Sequence, residues 1–137
     1  MIKVIVDTNV LLSFLTDRDE RQQGLAAEML ESAARGEHEL ILHQLVLTEM
    51  IYVLQNLYDL DSSSVAIILR DLLAMPGVQT LEELDWGLVL ELWPQQIRDF
   101  ADAGLAAVLR SRGYDSLATF DLGFSRAIRK QGLSLFW

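Results

Sequence analysis

Three apolar residues, Val4, Ile5 and Val6, run straight into Asp7, Thr8 and Asn9. A strand apolar on both faces has no side to give to water. It belongs in a parallel sheet covered by helices above and below. Asp7 then falls at the C-terminal end of that strand, the edge where open α/β sheets bind ligands. A strand-to-helix turn also favours aspartate as a helix N-cap, worth about 0.5–2 kcal/mol, so Asp7 alone is open to both readings.

The rest of the chain alternates in the same way. Residues 9–15 read as a short helix, and 21–35 as an amphipathic helix ended by Gly36. Residues 39–42 form a second strand and 44–58 an apolar helix. Asp61 or Ser62 caps a helix that runs toward Met75 and stops at Pro76-Gly77. Residues 78–81 read as a third strand, followed by a helix through Leu92 that breaks near Pro94. A helix from Asp99 ends at Gly113, 116–120 form a fourth strand, 122–130 a last helix and 133–136 a terminal strand. Strands separated by helices imply right-handed crossovers. The expected architecture is a three-layer α/β/α fold with a central parallel sheet of four to five strands. At 137 residues it is expected to be one domain, residues 1–137.

Composition narrows the chemistry. Half the residues are hydrophobic (51%) and 23% charged, which fits a globular protein with a real core. With no cysteine there are no disulfides, thiolate metal sites or cysteine nucleophiles, in keeping with a reducing cytoplasm. The start lacks the basic segment and small-residue cleavage site of a signal peptide, and no apolar run reaches the roughly 18–20 residues of a membrane span. The net charge of −9 repels phosphodiesters at long range, so a nucleic-acid substrate would need local cations or bound metal. Arg110, Arg112, Arg126, Arg129 and Lys130 supply cations in the last third, where a solvated helix face is the plainer reading.

Other acids fall where a site would gather them. Asp121 follows the fourth strand as Asp7 follows the first, with the same capping alternative. Asp99 and Asp102 stand at i, i+3 on one helical face, so one can cap while the other points at a site. Glu49 has Leu45, Val46, Tyr52 and Val53 as helical neighbours and is expected to be partly desolvated. The alternatives are an arginine partner or an exposed stripe. At about 4 Å and an effective dielectric near 20, each pair of converging carboxylates repels by roughly 4 kcal/mol. Such a cluster calls for a divalent cation. All-oxygen ligation selects Mg²⁺ or Mn²⁺, which suits phosphodiester hydrolysis. His38 and His43 flank the second strand and read as strand-end residues. Trp86, Trp93 and Trp137 read as core or interface rather than as base-stacking platforms.

Four segments together carry a resemblance. The strand ending in Asp7-Thr8-Asn9 resembles the opening motif of PIN-domain proteins, an Asp-x-Asn or Asp-x-Ser. The helix-borne Thr48-Glu49-Met50-Ile51-Tyr52-Val53-Leu54 resembles the second motif. Asp99-Phe100-Ala101-Asp102-Ala103 resembles the third, and Thr119-Phe120-Asp121 the fourth. In length and layout the chain resembles the VapC-like ribonuclease toxins of type II toxin–antitoxin systems. The resemblance implies a metal-dependent endoribonuclease in which Asp7, Glu49, Asp102 and Asp121 form the acidic, metal-binding catalytic set. Asp99 assists or only caps, while Asn9 and Thr119 orient carboxylates or water, with capping of the first short helix an equal reading for Asn9. It further implies Mg²⁺ (or Mn²⁺), an RNA substrate, a cognate antitoxin, a homodimer and a cytoplasmic setting without membrane attachment. The helix from Ser62 toward Met75 is a candidate dimer face. Gly104, inside the third motif's helix, departs from the pattern at a cost of about 1 kcal/mol against alanine.

Other readings of the same opening fit less well. A haloacid-dehalogenase-type phosphatase needs a second Asp where Asn9 stands, and a mid-chain lysine. After Lys3 the only lysine is Lys130. A receiver-like domain needs paired acids at the first strand and a lysine just after a late one. A non-catalytic PIN-like scaffold, or an RNA-processing nuclease without an antitoxin, are the remaining alternatives.

Overall fold

Val4, Ile5 and Val6 have no exposed surface at all in the computed structural model, which describes residues 1–137. Burial on both sides requires cover on both faces, and the element order supplies it. Strand β1 (Lys3–Val6) leads into α1 (Thr8–Leu15) and α2 (Glu20–Ala34). Next come β2 (Glu39–His43), α3 (Gln44–Asn56), α4 (Ser62–Leu73) and β3 (Val78–Leu81). Helices α5 (Trp86–Leu92) and α6 (Phe100–Ser111), strand β4 (Ser116–Ala118) and helix α7 (Leu122–Lys130) complete the chain. The four strands form one parallel sheet in the order β3-β2-β1-β4, the core of a three-layer α/β/α fold.

Two expectations are corrected. The terminal strand over 133–136 shrinks to one parallel bridge between Leu135 and Leu117, with Leu117 N donating to Ser134 O (3.0 Å) and Phe136 N to Leu117 O (2.9 Å). Those bonds cover the outer edge of β4 without extending the sheet, which fixes the strand number at four. Of the tryptophans, Trp86 is 59% and Trp137 38% exposed, so neither is core.

The helices begin on acids. Asp7, Asp19, Asp61, Asp85, Asp99 and Asp121 cap α1, α2, α4, α5, α6 and α7 respectively. A large part of the acidity therefore has a local structural role before any site is considered. His43 caps α3, its Nδ1 accepting from Leu45 N at 3.1 Å. Two glycines permit close packing. Gly77 has φ +82° and a side chain there would meet Ala33 O at 2.5 Å. In α6, a Cβ at Gly104 would lie 2.8 Å from Leu45 Cδ1 of α3. The departure noted at Gly104 thus lets α6 and α3 approach, and these helices carry Asp102 and Glu49.

Candidate metal centre

From β1 the chain steps outward to β2 and β3, then returns past β1 to lay β4 on its other side. The C-terminal edge between β1 and β4 is the switch point, where the loops diverge and a crevice opens. Val6 pairs with Ala118, and Asp7 N donates to Ala118 O at 2.9 Å. This sets Asp7 and Thr119 side by side on the crevice floor.

Asp7 is 6% exposed and held from three directions. Its Oδ1 accepts from Thr8 N at 2.8 Å, and its Oδ2 from Asn9 Nδ2 at 3.0 Å and Thr119 Oγ1 at 2.8 Å. The Thr119 hydroxyl also accepts from Asn9 Nδ2 (3.2 Å) and Asp121 N (3.1 Å). A hydroxyl has one proton and two lone pairs, so all its capacity is used and its proton is aimed at Asp7. Asn9 Oδ1 accepts from Phe120 N at 2.9 Å, which fixes the amide orientation. Capping and site building coincide in Asp7. Burial still drives its pKa up to about 6, against the lowering hydrogen bonds of Thr119 and Thr8, with the charges of Glu49 and Asp121 adding to the rise.

Asp102 lies half-buried on the first turn of α6, whose cap is Asp99: Asp102 N donates to Asp99 Oδ1 at 2.9 Å. Its pKa is pushed up to about 8, first by burial and then by the charges of Asp7, Asp99, Asp121 and Glu49. All four of those charges are negative. None of the five acids takes part in an ion pair; the three pairs of the molecule, Lys3–Glu39, Arg35–Glu37 and Arg112–Glu83, lie elsewhere.

Glu49 corrects an expectation. It is exposed, because the buried stripe of α3 runs along Val46, Met50 and Leu54, and Glu49 sits beside it with exposed Tyr52. It is nonetheless tethered, its Oε2 accepting from Thr8 Oγ1 at 3.0 Å. That role of Thr8 escaped the sequence reading, since a threonine at a helix start has ample local reason to be there. Asp121 is exposed and caps α7, its Oδ1 accepting from Phe124 N at 3.0 Å.

The structure thus brings Asp7, Glu49, Asp99 and Asp121 within electrostatic reach of Asp102. As the side chains stand, no three of them converge into a group arranged to hold a metal ion. The donor chemistry nevertheless fits a hard divalent cation, being oxygen throughout with no thiolate. Neither imidazole is available: His43 is bonded through both ring nitrogens, and His38 Nε2 lies 3.0 Å from Met29 O. Burial and like charge disfavour ionisation of Asp102, which a cation would relieve.

Comparison with known proteins gives the following. The family model described as PIN domain matches residues 4–130. No curated protein matches the chain. Among solved structures it is similar to Mycobacterium tuberculosis VapC20, a sarcin-ricin loop cleaving toxin, with TM-score 0.67 and 23% identity over 90% of this chain and 94% of that one. It is similar to PAE2754 of Pyrobaculum aerophilum, with TM-score 0.63 and 22% identity over 92% and 84% of the two chains. A third is VapBC2 of Rickettsia felis, solved bound to a DNA fragment from its promoter, with TM-score 0.70 and 16% identity over 98% and 97%.

Proposed function

The chain belongs to the PIN domain family, and on that premise we propose that it is a metal-dependent endoribonuclease, the toxin of a toxin–antitoxin pair. One observation carries the catalytic part: Asp102 is repelled by four other acids at a sheet edge where none of them has a cationic partner. Acids so arranged are poorly explained by stability and well explained by a cation.

In this reading residues 1–137 form one PIN domain, and Asp7, Glu49, Asp102 and Asp121 hold Mg²⁺ or Mn²⁺. When bound, the ion would supply charge neutralisation at the phosphoryl oxygens and would acidify a water. Asp7 provides a fixed anchor, because Thr8 N, Asn9 and Thr119 allow its carboxylate one orientation. Glu49, tethered by the Thr8 hydroxyl, and Asp121, capping α7, would complete the set from the exposed rim. Asn9 and Thr119 position Asp7, and Asp99 shapes the first turn of α6 while adding negative charge.

The partners follow from the same reading. VapBC2 carries its antitoxin by name, and an acidic crevice in an acidic protein suits an antitoxin presenting a basic side chain. A homodimer is consistent with Ile67 (55% exposed) and Leu73 (38%) on α4. No helix is long and apolar enough to cross a membrane, and a cytoplasmic setting is part of the proposal.

The test is cleavage of cellular RNA by the purified chain. Excess chelator should abolish it and added Mg²⁺ restore it, with Asp7→Asn inactive but folded. Cleavage that persists in chelator would overturn the mechanism. Glu49→Gln should lose metal binding and cleavage while keeping its folding midpoint; a change in stability alone would favour the non-catalytic scaffold.

A further inference from the structure

The pocket on the α7 side of the crevice has the opposite character to the acids beside it. It is a cavity of about 380 Å³, lined by Arg21 of α2, by Arg126 and Arg129 of α7, and by Thr119, Phe120 and Trp137. Arg126 and Arg129 stand at i, i+3 and so share a helix face. None of the three arginines makes an ion pair, and the molecule's only ion pairs are elsewhere. Only Lys3, Arg35 and Arg112 of the 11 cationic side chains are ion-paired, and three of the eight unpaired ones line this one pocket. Like charges gathered in a cleft focus a field that attracts an anion.

The other wall is aromatic. Phe120 stacks on Trp137 with ring centroids 4.7 Å apart and planes at 15°. Trp137 keeps 38% of its surface exposed, which rules out a core role. Phe120 sits between Thr119, whose hydroxyl bonds Asp7 at 2.8 Å, and Asp121. The Arg126 guanidinium and the Asp121 carboxylate both lie beside Gly123. A Cβ built at Gly123 would lie 3.3 Å from Asp121 Oδ1 and 4.0 Å from Arg126 Nη2. The groove holding Glu49, Tyr52, Trp86 and Asp99 has no lysine or arginine in its lining.

We propose that this pocket is the subsite through which single-stranded RNA is held. One nucleobase stacks on Trp137, and the flanking phosphates lie against Arg21, Arg126 and Arg129. The adjoining phosphodiester is thereby delivered to the Asp7 edge. The proposal rests on the nuclease reading and deepens it by fixing the side from which the strand is gripped. An acidic peptide would use the arginines and leave the ring pair idle. A nucleotide uses both, since stacking serves any base and guanidinium groups suit phosphate.

The experiment is fluorescence anisotropy of a short labelled oligouridylate with the full chain in chelator, over a range of salt concentrations. Each phosphate contact on a single strand contributes about 0.7 to the slope of log affinity against log salt. Arg126→Ala/Arg129→Ala should therefore lower that slope by about 1.4 with the unfolding midpoint unchanged. Trp137→Ala should weaken binding about 5- to 100-fold, with Trp137→Phe recovering most of it. An unchanged slope, or equal binding by Trp137→Ala and the unmodified chain, would overturn the proposal. So would arginine-dependent binding of a polyglutamate peptide with no binding of the oligonucleotide, which would mark the pocket as a docking site for an acidic protein segment. If the arginine and tryptophan dependence holds but Mg²⁺ restores no cleavage, the nuclease reading fails and the subsite stands.

Discussion

The Thr119 hydroxyl serves Asp7, Asn9 and Asp121 at once, so the two strand-end acids share one positioning group. Groups that orient a metal ligand typically carry 10–100-fold of affinity or activity. Asn9→Ala should accordingly reduce cleavage about 10–100-fold while the circular dichroism spectrum stays unchanged. Thr119→Val also strands a buried bonding partner, and should lose about 1–3 kcal/mol of stability in urea titration. Asp102 yields a pH prediction for the chelated protein. Its folded pKa of about 8 stands above the ordinary 3.8, so folding favours its protonated form. The group costs nothing below about pH 4, and its full penalty is present above about pH 8. Asp7, raised to about 6, acts with the same sign over a narrower window. Denaturation midpoints measured in chelator should therefore fall as pH rises from about 4 to 8, and Asp102→Asn should flatten that slope. A rising midpoint across the window would contradict the assignment. These residues were legible in sequence because each sits at a strand end or helix start, where the chain's direction is visible. Glu49 was legible as a site candidate but not in its exposure. Neighbours at ±3 and ±4 do not reveal which side of an apolar helix faces the core.

Among the elements, α6 is the one whose placement decides the site. Asp99 caps it, Asp102 projects from its first turn, and Gly104 lets it approach α3. Gly104→Ala gains helix propensity worth about 1 kcal/mol but must displace Leu45, so its net effect on stability should be small. Gly104→Leu should cost about 1–3 kcal/mol by overpacking, and should weaken cleavage more than its stability loss explains, because α6 would be pushed off α3. Thermal melts beside initial rates would separate the two effects. Element identity was readable throughout, since Gly36 and Pro76-Gly77 close helices and aspartates open them. The segment after α7 was misread because apolar content alone cannot say whether a neighbour has edge bonds left. Leu117 offers one N–H and one carbonyl there, enough for a bridge and no more.

Across the whole molecule, the charge that seemed to argue against a nucleic-acid substrate is unevenly spread: acids at the crevice, unpaired arginines beside it. Net charge could not show this, because sequence gives the sum and folding gives the distribution. The sheet order has a consequence in time. The crevice needs β4 beside β1, a pairing of Val6 with Ala118 that joins the two ends of the chain. Strands β1, β2 and β3 can pair while synthesis continues, at about 5–20 residues per second, but β4 reaches the ribosome's exit after all of them. Thr119 and Asp121 arrive with it. A nascent chain arrested before residue 116 should therefore leave RNA intact, and one released in full should cleave it. Under the nuclease reading, the site therefore stays incomplete until β4 has been made and has paired with β1.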